Sequence, residues 1–136
     1  MNDRGIVARI ETHWWREKGA LTIQGVDHSV YRERPMSGDF ILESAGSILA
    51  RARKPSAFRR FFNVEHAGRQ YTLRAPSAFR RAFIVLDGDL GIGSISPDGL
   101  FTRRASVDLP ENIPLAVRIF IVWLAVILWK RESDSG

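Results

Sequence analysis

The chain has 136 residues, 45% of them hydrophobic, and a net charge of +5. That is the length of one domain with enough apolar material for a core, so global disorder is excluded. It contains no cysteine, which rules out disulfides, thiolate metal sites and a cysteine nucleophile.

The first element is ambiguous. In Ile6–Arg16, the residues Ile6, Val7, Ile10, Trp14 and Trp15 would line one face of a helix. His13-Trp14-Trp15-Arg16 ahead of Gly19 also reads as a strand entering a turn, and a strand is expected. Residues 1–18 are charged throughout and lack the apolar run of a secretory signal peptide, so none is expected.

From Ala20 onward the punctuation is that of hairpins. Strands are expected at Ala20–Gln24, Ser29–Arg34, Phe40–Leu42, Ser47–Arg53, Phe61–Glu65, Gln70–Arg74, Phe83–Leu86, Leu90–Ile95 and Phe101–Val107. Each is short, several alternate apolar and polar residues, and Gly, Pro, Asp or Ser separates most of them. Turns are expected at Gly25–Asp27, His66–Arg69, Asp87–Asp89 and Ser96–Gly99, the last with Pro97 and Gly99 placed as in a type I turn. Many short strands at this spacing predict a mainly β domain: an antiparallel meander of roughly ten strands closing into a barrel or sandwich.

Charge is unevenly distributed. Between Arg51 and Arg81 lie Arg51, Arg53, Lys54, Arg59, Arg60, Arg69, Arg74, Arg80 and Arg81 against Glu65 alone, a net of +8. Such a block suits an anionic partner, whether lipid headgroups, nucleic acid or an acidic protein; a solvated strand face is the ordinary alternative. Within it, Arg53-Lys-Pro-Ser-Ala-Phe-Arg-Arg-Phe-Phe62 recurs 21 residues later as Arg74-Ala-Pro-Ser-Ala-Phe-Arg-Arg-Ala-Phe83. Successive connections of a meander alternate between its two ends, and one turn separates the copies. Both Pro-Ser-Ala-Phe-Arg-Arg segments therefore project from the same end, gathering Phe58, Arg59, Arg60, Phe79, Arg80 and Arg81 on one rim.

The last element is a helix expected over 113–131. From Leu115 to Trp129 every residue is apolar except Arg118. Pro110 and Pro114 stand where a helix start tolerates them, Asn112 is a candidate cap, and Lys130 and Arg131 suit the negative end of the helix dipole. A helix apolar on every side is buried on every side, in a barrel or in a bilayer. Fifteen residues at ~1.5 Å each reach about 22 Å, short of a ~30 Å hydrocarbon core. Both settings stay open, with Arg118 able to snorkel in either.

A β-meander ending in such a helix resembles the tubby C-terminal-like superfamily, which includes tubby proteins, phospholipid scramblases and LURP-one-related proteins. The resemblance rests on the Gly-rich strand Gly88–Ile95, on Arg103-Arg104-Ala105, and on Asp108-Leu-Pro-Glu111 leading into the helix, and it spans about Ala20 to Lys130. It implies a β-barrel threaded by the helix, a non-enzymatic role and lipid association. The rim arginines are the residues that would meet phosphate. The acidic calcium loop and cysteine tract of scramblases have no counterpart.

Other motifs carry less. Gly88, Gly91 and Gly93 lack dinucleotide-binding spacing and read as bulges or tight barrel positions. His13, His28 and His66 are far apart and read as surface or turn residues; Asp87 and Asp89 read as a hairpin turn. No catalytic residue, metal site or cofactor is identified, and no motif specifies an oligomeric state. Phe58 and Phe79 beside paired arginines suit a membrane interface or a nucleic acid; packing of both rings into the barrel end is the alternative. The expectation is a binding or scaffold module, cytoplasmic and peripheral at a membrane, contacting anionic phospholipid or a membrane protein. A single-pass membrane protein anchored by the helix is the second reading, and nucleic-acid binding the third.

Overall fold

The structure, a computed structural model, describes residues 8–13, 18–34, 38–54, 61–75, 82–97 and 105–135, with side chains for 19–34, 38–54, 61–75, 82–96 and 106–131. In chain order these form β1 (Ala8–His13), β2 (Lys18–Ile23), β3 (Val26–Arg32), β4 (Phe40–Ser44), β5 (Ser47–Arg53), β6 (Phe61–His66), β7 (Arg69–Arg74), β8 (Phe83–Asp87), β9 (Leu90–Pro97), β10 (Ala105–Asp108) and α1 (Leu115–Ser135). Every strand pairs antiparallel with the one before it, so a single sheet runs β1 to β10 in sequence order. The mainly β meander with a C-terminal helix is as expected. The first segment is a strand, and only Ala105–Asp108 of the expected Phe101–Val107 strand is among the described residues.

Alternation makes the strands. In β6 and β7, Phe62, Val64, Tyr71 and Leu73 are buried, while the residues between them are at most half-buried. The same inward face continues through Leu21, Val30, Leu42, Ala52 and Val85. Burying these side chains contributes about 1.5–3 kcal/mol for each large one.

Two-residue turns join β2–β3, β4–β5 and β6–β7. Gln24-Gly25, Ala45-Gly46 and Ala67-Gly68 have φ of 52° and 79°, 52° and 80°, and 50° and 79°. Positive φ at both central residues is the type I′ turn, whose twist matches that of the flanking strands. The first turn therefore falls one residue before the expected Gly25–Asp27, and Val26 and Asp27 belong to β3. The turn expected at Ser96–Gly99 is not seen as such: Ser96 and Pro97 close β9, and 98–100 lie outside the described residues.

Two hairpins carry a register shift. In β4–β5, Leu42 faces Ala50 but Glu43 faces Ile48, which leaves Leu49 extra. His66 Nδ1 donates to the Leu49 carbonyl at 2.7 Å, satisfying a group the bulge removes from the ladder. In β8–β9, Val85 faces Gly93 and Leu86 faces Gly91, so the glycine-rich strand is a bulge as read. A Cβ at Gly93 would collide with the Asp108 carbonyl oxygen and come within 2.8 Å of Leu109 Cδ2. Gly93 thus lets the chain pass closely as β10 turns toward the helix.

Ile113 N–H donates to the Pro110 carbonyl at 3.2 Å, and Arg118 N–H to the Pro114 carbonyl at 3.0 Å. The helix opens at Pro114 rather than at Asn112, which sits in the preceding turn. The helix also runs past Arg131 to Ser135, so Lys130 and Arg131 lie inside it and not in its final turn. Arg118 Nε donates to the Ile113 carbonyl at 2.8 Å, which turns its charge back onto the entry segment.

No residue from Leu115 to Arg131 is exposed. Phe120, Ile121, Leu124, Ala125 and Ile127 are fully covered. Trp123 packs edge-on against Phe40 of β4 with centroids 5.3 Å apart, Phe40 meets Phe62 of β6 at 5.8 Å, and Trp129 lies 5.7 Å from Phe83 of β8. Leu115, Ile119, Val122 and Val126 are half-buried and lie along one helical stripe. These contacts overturn the reading of Leu115–Trp129 as a transmembrane span, because its side chains pack on strands of the same chain. Among the described residues no helix is long and apolar enough to cross a membrane.

Candidate functional site

The two ends of the sheet differ. One, the turn end, is closed by the short turns at 24–25, 45–46, 67–68 and 88–89; the other, the loop end, carries connections of four to eight residues at 14–17, 33–39, 54–60, 75–82 and 98–104. The helix enters at the turn end, after β10, and reaches the loop end around Trp129–Arg131, beside Phe83 and Phe40.

The expected rim residues Phe58, Arg59, Arg60, Phe79, Arg80 and Arg81 lie outside the described residues. What is described is their attachment. The first copy of the repeat bridges β5 to β6 and the second bridges β7 to β8, both at the loop end. The final phenylalanine of each copy, Phe62 and Phe83, is 0% exposed in the core. One repeated position is therefore an anchor that fixes where each connection re-enters the sheet.

Three cations converge on the inner face at this end. Arg32 is the cross-strand partner of the buried Phe40, and Phe40 is the partner of Ala52. Partners share a face, so Arg32 faces inward, and Lys54, two residues beyond Ala52, continues the same inward register. The Arg32 guanidinium carbon lies 5.7 Å from the Phe40 ring centroid, and that of Arg131 lies 5.9 Å from it. Both fall within cation–π range of one ring. Burial, and then the charge of Arg131, hold the Lys54 ammonium below the ordinary lysine value. Asp39, next to Phe40, is half-buried, and its carbonyl accepts from Glu33 N–H at 2.9 Å, which closes the β3–β4 connection.

The outer face carries internal polar pairs. Arg51 pairs with Glu33 at 3.1 Å, and Tyr31 donates to Glu43 at 2.8 Å. In register, Tyr31 and Arg51 flank Ile41, which is 1% exposed although it points away from the helix. The hydrogen bond to Glu43, with burial and the carboxylate charges, raises the Tyr31 phenol above its ordinary value. Arg51 thus belongs to a structural pair, while Arg53 and Arg74 are exposed at the loop end and Arg69 at the turn end.

The histidines differ from expectation. His28 is buried on the inner face, 9% exposed, with Nδ1 3.0 Å from the Val26 carbonyl. His66 is half-buried and holds the bulge. Side chain and register explain both, since His28 alternates with the buried Val30. The side chain of His13 lies outside those described. Asp87 and Asp89 flank Gly88 in a turn, as read. Among the described residues no three His, Asp or Glu side chains group as metal ligands.

The sequence marks Arg32 only as part of a strand, Lys54 only as one of a basic block and Arg131 only as a complement to the helix dipole. A signal existed. The alternation Val30–Arg32 and Ala50–Ala52–Lys54 runs one inward step past the last apolar residue of each strand. No family model, curated protein or solved structure matches the chain.

Proposed function

We propose that this protein is a non-enzymatic binding module that docks on anionic membrane lipid through its loop end, peripheral to the membrane on the cytoplasmic side. In this reading the sheet curls into a barrel about α1, with β1 and β10 approaching each other, as the resemblance to tubby-like proteins implies. The burial of a helix that is apolar all round supports the barrel.

One observation carries the lipid reading. The strand ends that bear both copies of the Phe-Arg-Arg segment fall at the end where Arg32, Lys54 and Arg131 converge around Phe40. Arg59, Arg60, Arg80 and Arg81 then supply headgroup contacts, and Phe58 and Phe79 supply apolar insertion at the acyl boundary. Basic residues near an anionic surface contribute about 1 kcal/mol each, so four of them with two phenylalanines suffice for reversible docking.

Vesicle co-sedimentation tests this. The protein should pellet with vesicles containing an anionic phospholipid and not with phosphatidylcholine alone. Replacing Arg59, Arg60, Arg80 and Arg81 with glutamate should abolish the binding. Equal binding to neutral vesicles, or no loss on the four replacements, would overturn the reading. Tighter, steeply salt-dependent binding to DNA or RNA than to vesicles would replace it with the nucleic-acid one.

A further inference from the structure

We infer that the turn end of the sheet docks the loop end of a second copy of this chain, so that the protein associates head to tail.

Apolar exposure marks the surface. Among the described residues the large hydrophobic side chains left exposed are Val26, Ile48 and Leu90, at 52%, 53% and 68%. Each lies within two residues of a short turn: Val26 follows Gln24-Gly25, Ile48 comes after Ala45-Gly46, and Leu90 follows Gly88-Asp89. Val26 is the partner of the buried Ile23, and Leu90 stands opposite Asp87, itself the partner of the buried Tyr71. Both therefore continue the inner face out to an exposed rim. Exposed apolar residues gathered at one end and edged by charge mark an interaction surface.

Charge selects the occupant. Among the described residues the fully exposed acids are Asp27, Glu65, Asp87, Asp89, Asp108 and Glu111. The first four lie in or beside short turns, Asp108 closes β10, and Glu111 is on the segment that enters the helix, so all stand at the turn end or lead to it. Arg69 is the exposed cation described there. At the loop end the exposed ionisable residues described are Arg34, Arg53 and Arg74. Two turn ends repel each other, and so do two loop ends, which disfavours a two-fold pair. A turn end against a loop end brings carboxylates to guanidiniums, which pair with defined geometry, and covers Val26 and Leu90. Such a contact is heterologous: each assembly keeps one unused surface of each kind. The two surfaces lie at opposite ends of the same strands, so successive copies stack along the strand direction and the assembly stays open.

Sedimentation velocity on the full chain tests this. At low ionic strength the weight-average mass should rise with concentration from the 15.4 kDa of the monomer and reach no plateau. Raising the salt should weaken association about tenfold, because screening shortens the reach of exposed charges. Two variants separate the surfaces: Val26→Lys with Leu90→Lys alters the turn end, and Arg53→Gln with Arg74→Gln alters the loop end. Each alone should associate about tenfold more weakly than wild type. Mixed where each alone is monomeric, they should form a one-to-one dimer and nothing larger, because the mixture holds one intact surface of each kind. Wild type that stays monomeric at every concentration overturns the inference, as does a plateau at the dimer mass or an association indifferent to salt. No dimer in the mixture, with both variants giving the wild-type circular dichroism spectrum, overturns it too. The contact uses the loop end but does not require lipid. Growth of wild type without vesicle binding leaves it standing and sinks the lipid reading; vesicle binding by a chain that stays monomeric does the reverse.

Discussion

At Ala45 and Ala67 a residue with a Cβ is held at φ of 52° and 50°, in the left-handed region. That conformation costs alanine roughly 1 kcal/mol, and asparagine tolerates it because its side chain bonds locally. Ala67→Asn should therefore stabilise the fold by about 0.5–1 kcal/mol, read as an upward shift of the urea midpoint with unchanged slope. Sequence shows the glycine of each turn, but which residue joins it depends on strand register, and that is set by the whole sheet. Lys54 and Tyr31 make a second test at this scale. The folded pKa of Lys54 is depressed, so its charge opposes folding at neutral pH, and stability is regained as pH rises through the depressed value toward 10.5. The folded pKa of Tyr31 is raised, so its contribution is present below pH 10.0 and is lost as pH rises through the raised value. Lys54→Met should raise the thermal midpoint at pH 7 and remove the alkaline gain. Tyr31→Phe should lower the midpoint at pH 7 and remove the alkaline loss. Thermal scans between pH 7 and pH 11 would read both.

The helix supplies its own internal control. Val117 is 1% exposed, whereas Val126 lies on the half-buried stripe. The same Val→Ala change should cost about 2 kcal/mol at Val117 and about half that at Val126, measured by denaturant unfolding. Equal costs would mean that the sheet covers α1 evenly. Trp123 Nε1 is buried without a hydrogen-bond partner among the described residues. Trp123→Phe gives up ring volume but also removes the desolvated donor, so it should cost less than about 1.5 kcal/mol, against roughly 3–5 for Trp123→Ala. Composition made the existence of this helix plain, because fourteen apolar residues in fifteen leave few alternatives. Its ends were less legible. The start depends on the Pro114 carbonyl, and the continuation through Glu132–Ser135 is polar and has no apolar period to mark it.

For the whole molecule, one core serves sheet and helix together. A chain truncated before Leu115 should lose near-UV circular dichroism and bind a hydrophobic dye while keeping strand signal in the far-UV, because the inward faces would have nothing to cover them. The meander was readable because hairpin punctuation and alternation agree over most of the chain. The convergence at the loop end was not, because Arg32 and Arg131 are 99 positions apart and come to the same Phe40 ring only when the helix runs back along the sheet. That same return path bears on biosynthesis. All ten described strands precede the helix in the chain, so on the ribosome Phe40, Phe62 and Phe83 are made before the segment that covers them. Four hairpins with two-residue turns can form locally and early, yet their product is an uncovered apolar surface with two sheet edges. Slowing translation through codons 115–129 should prolong that interval and increase the chaperone-bound fraction, whereas supplying α1 as a separate peptide should shorten it.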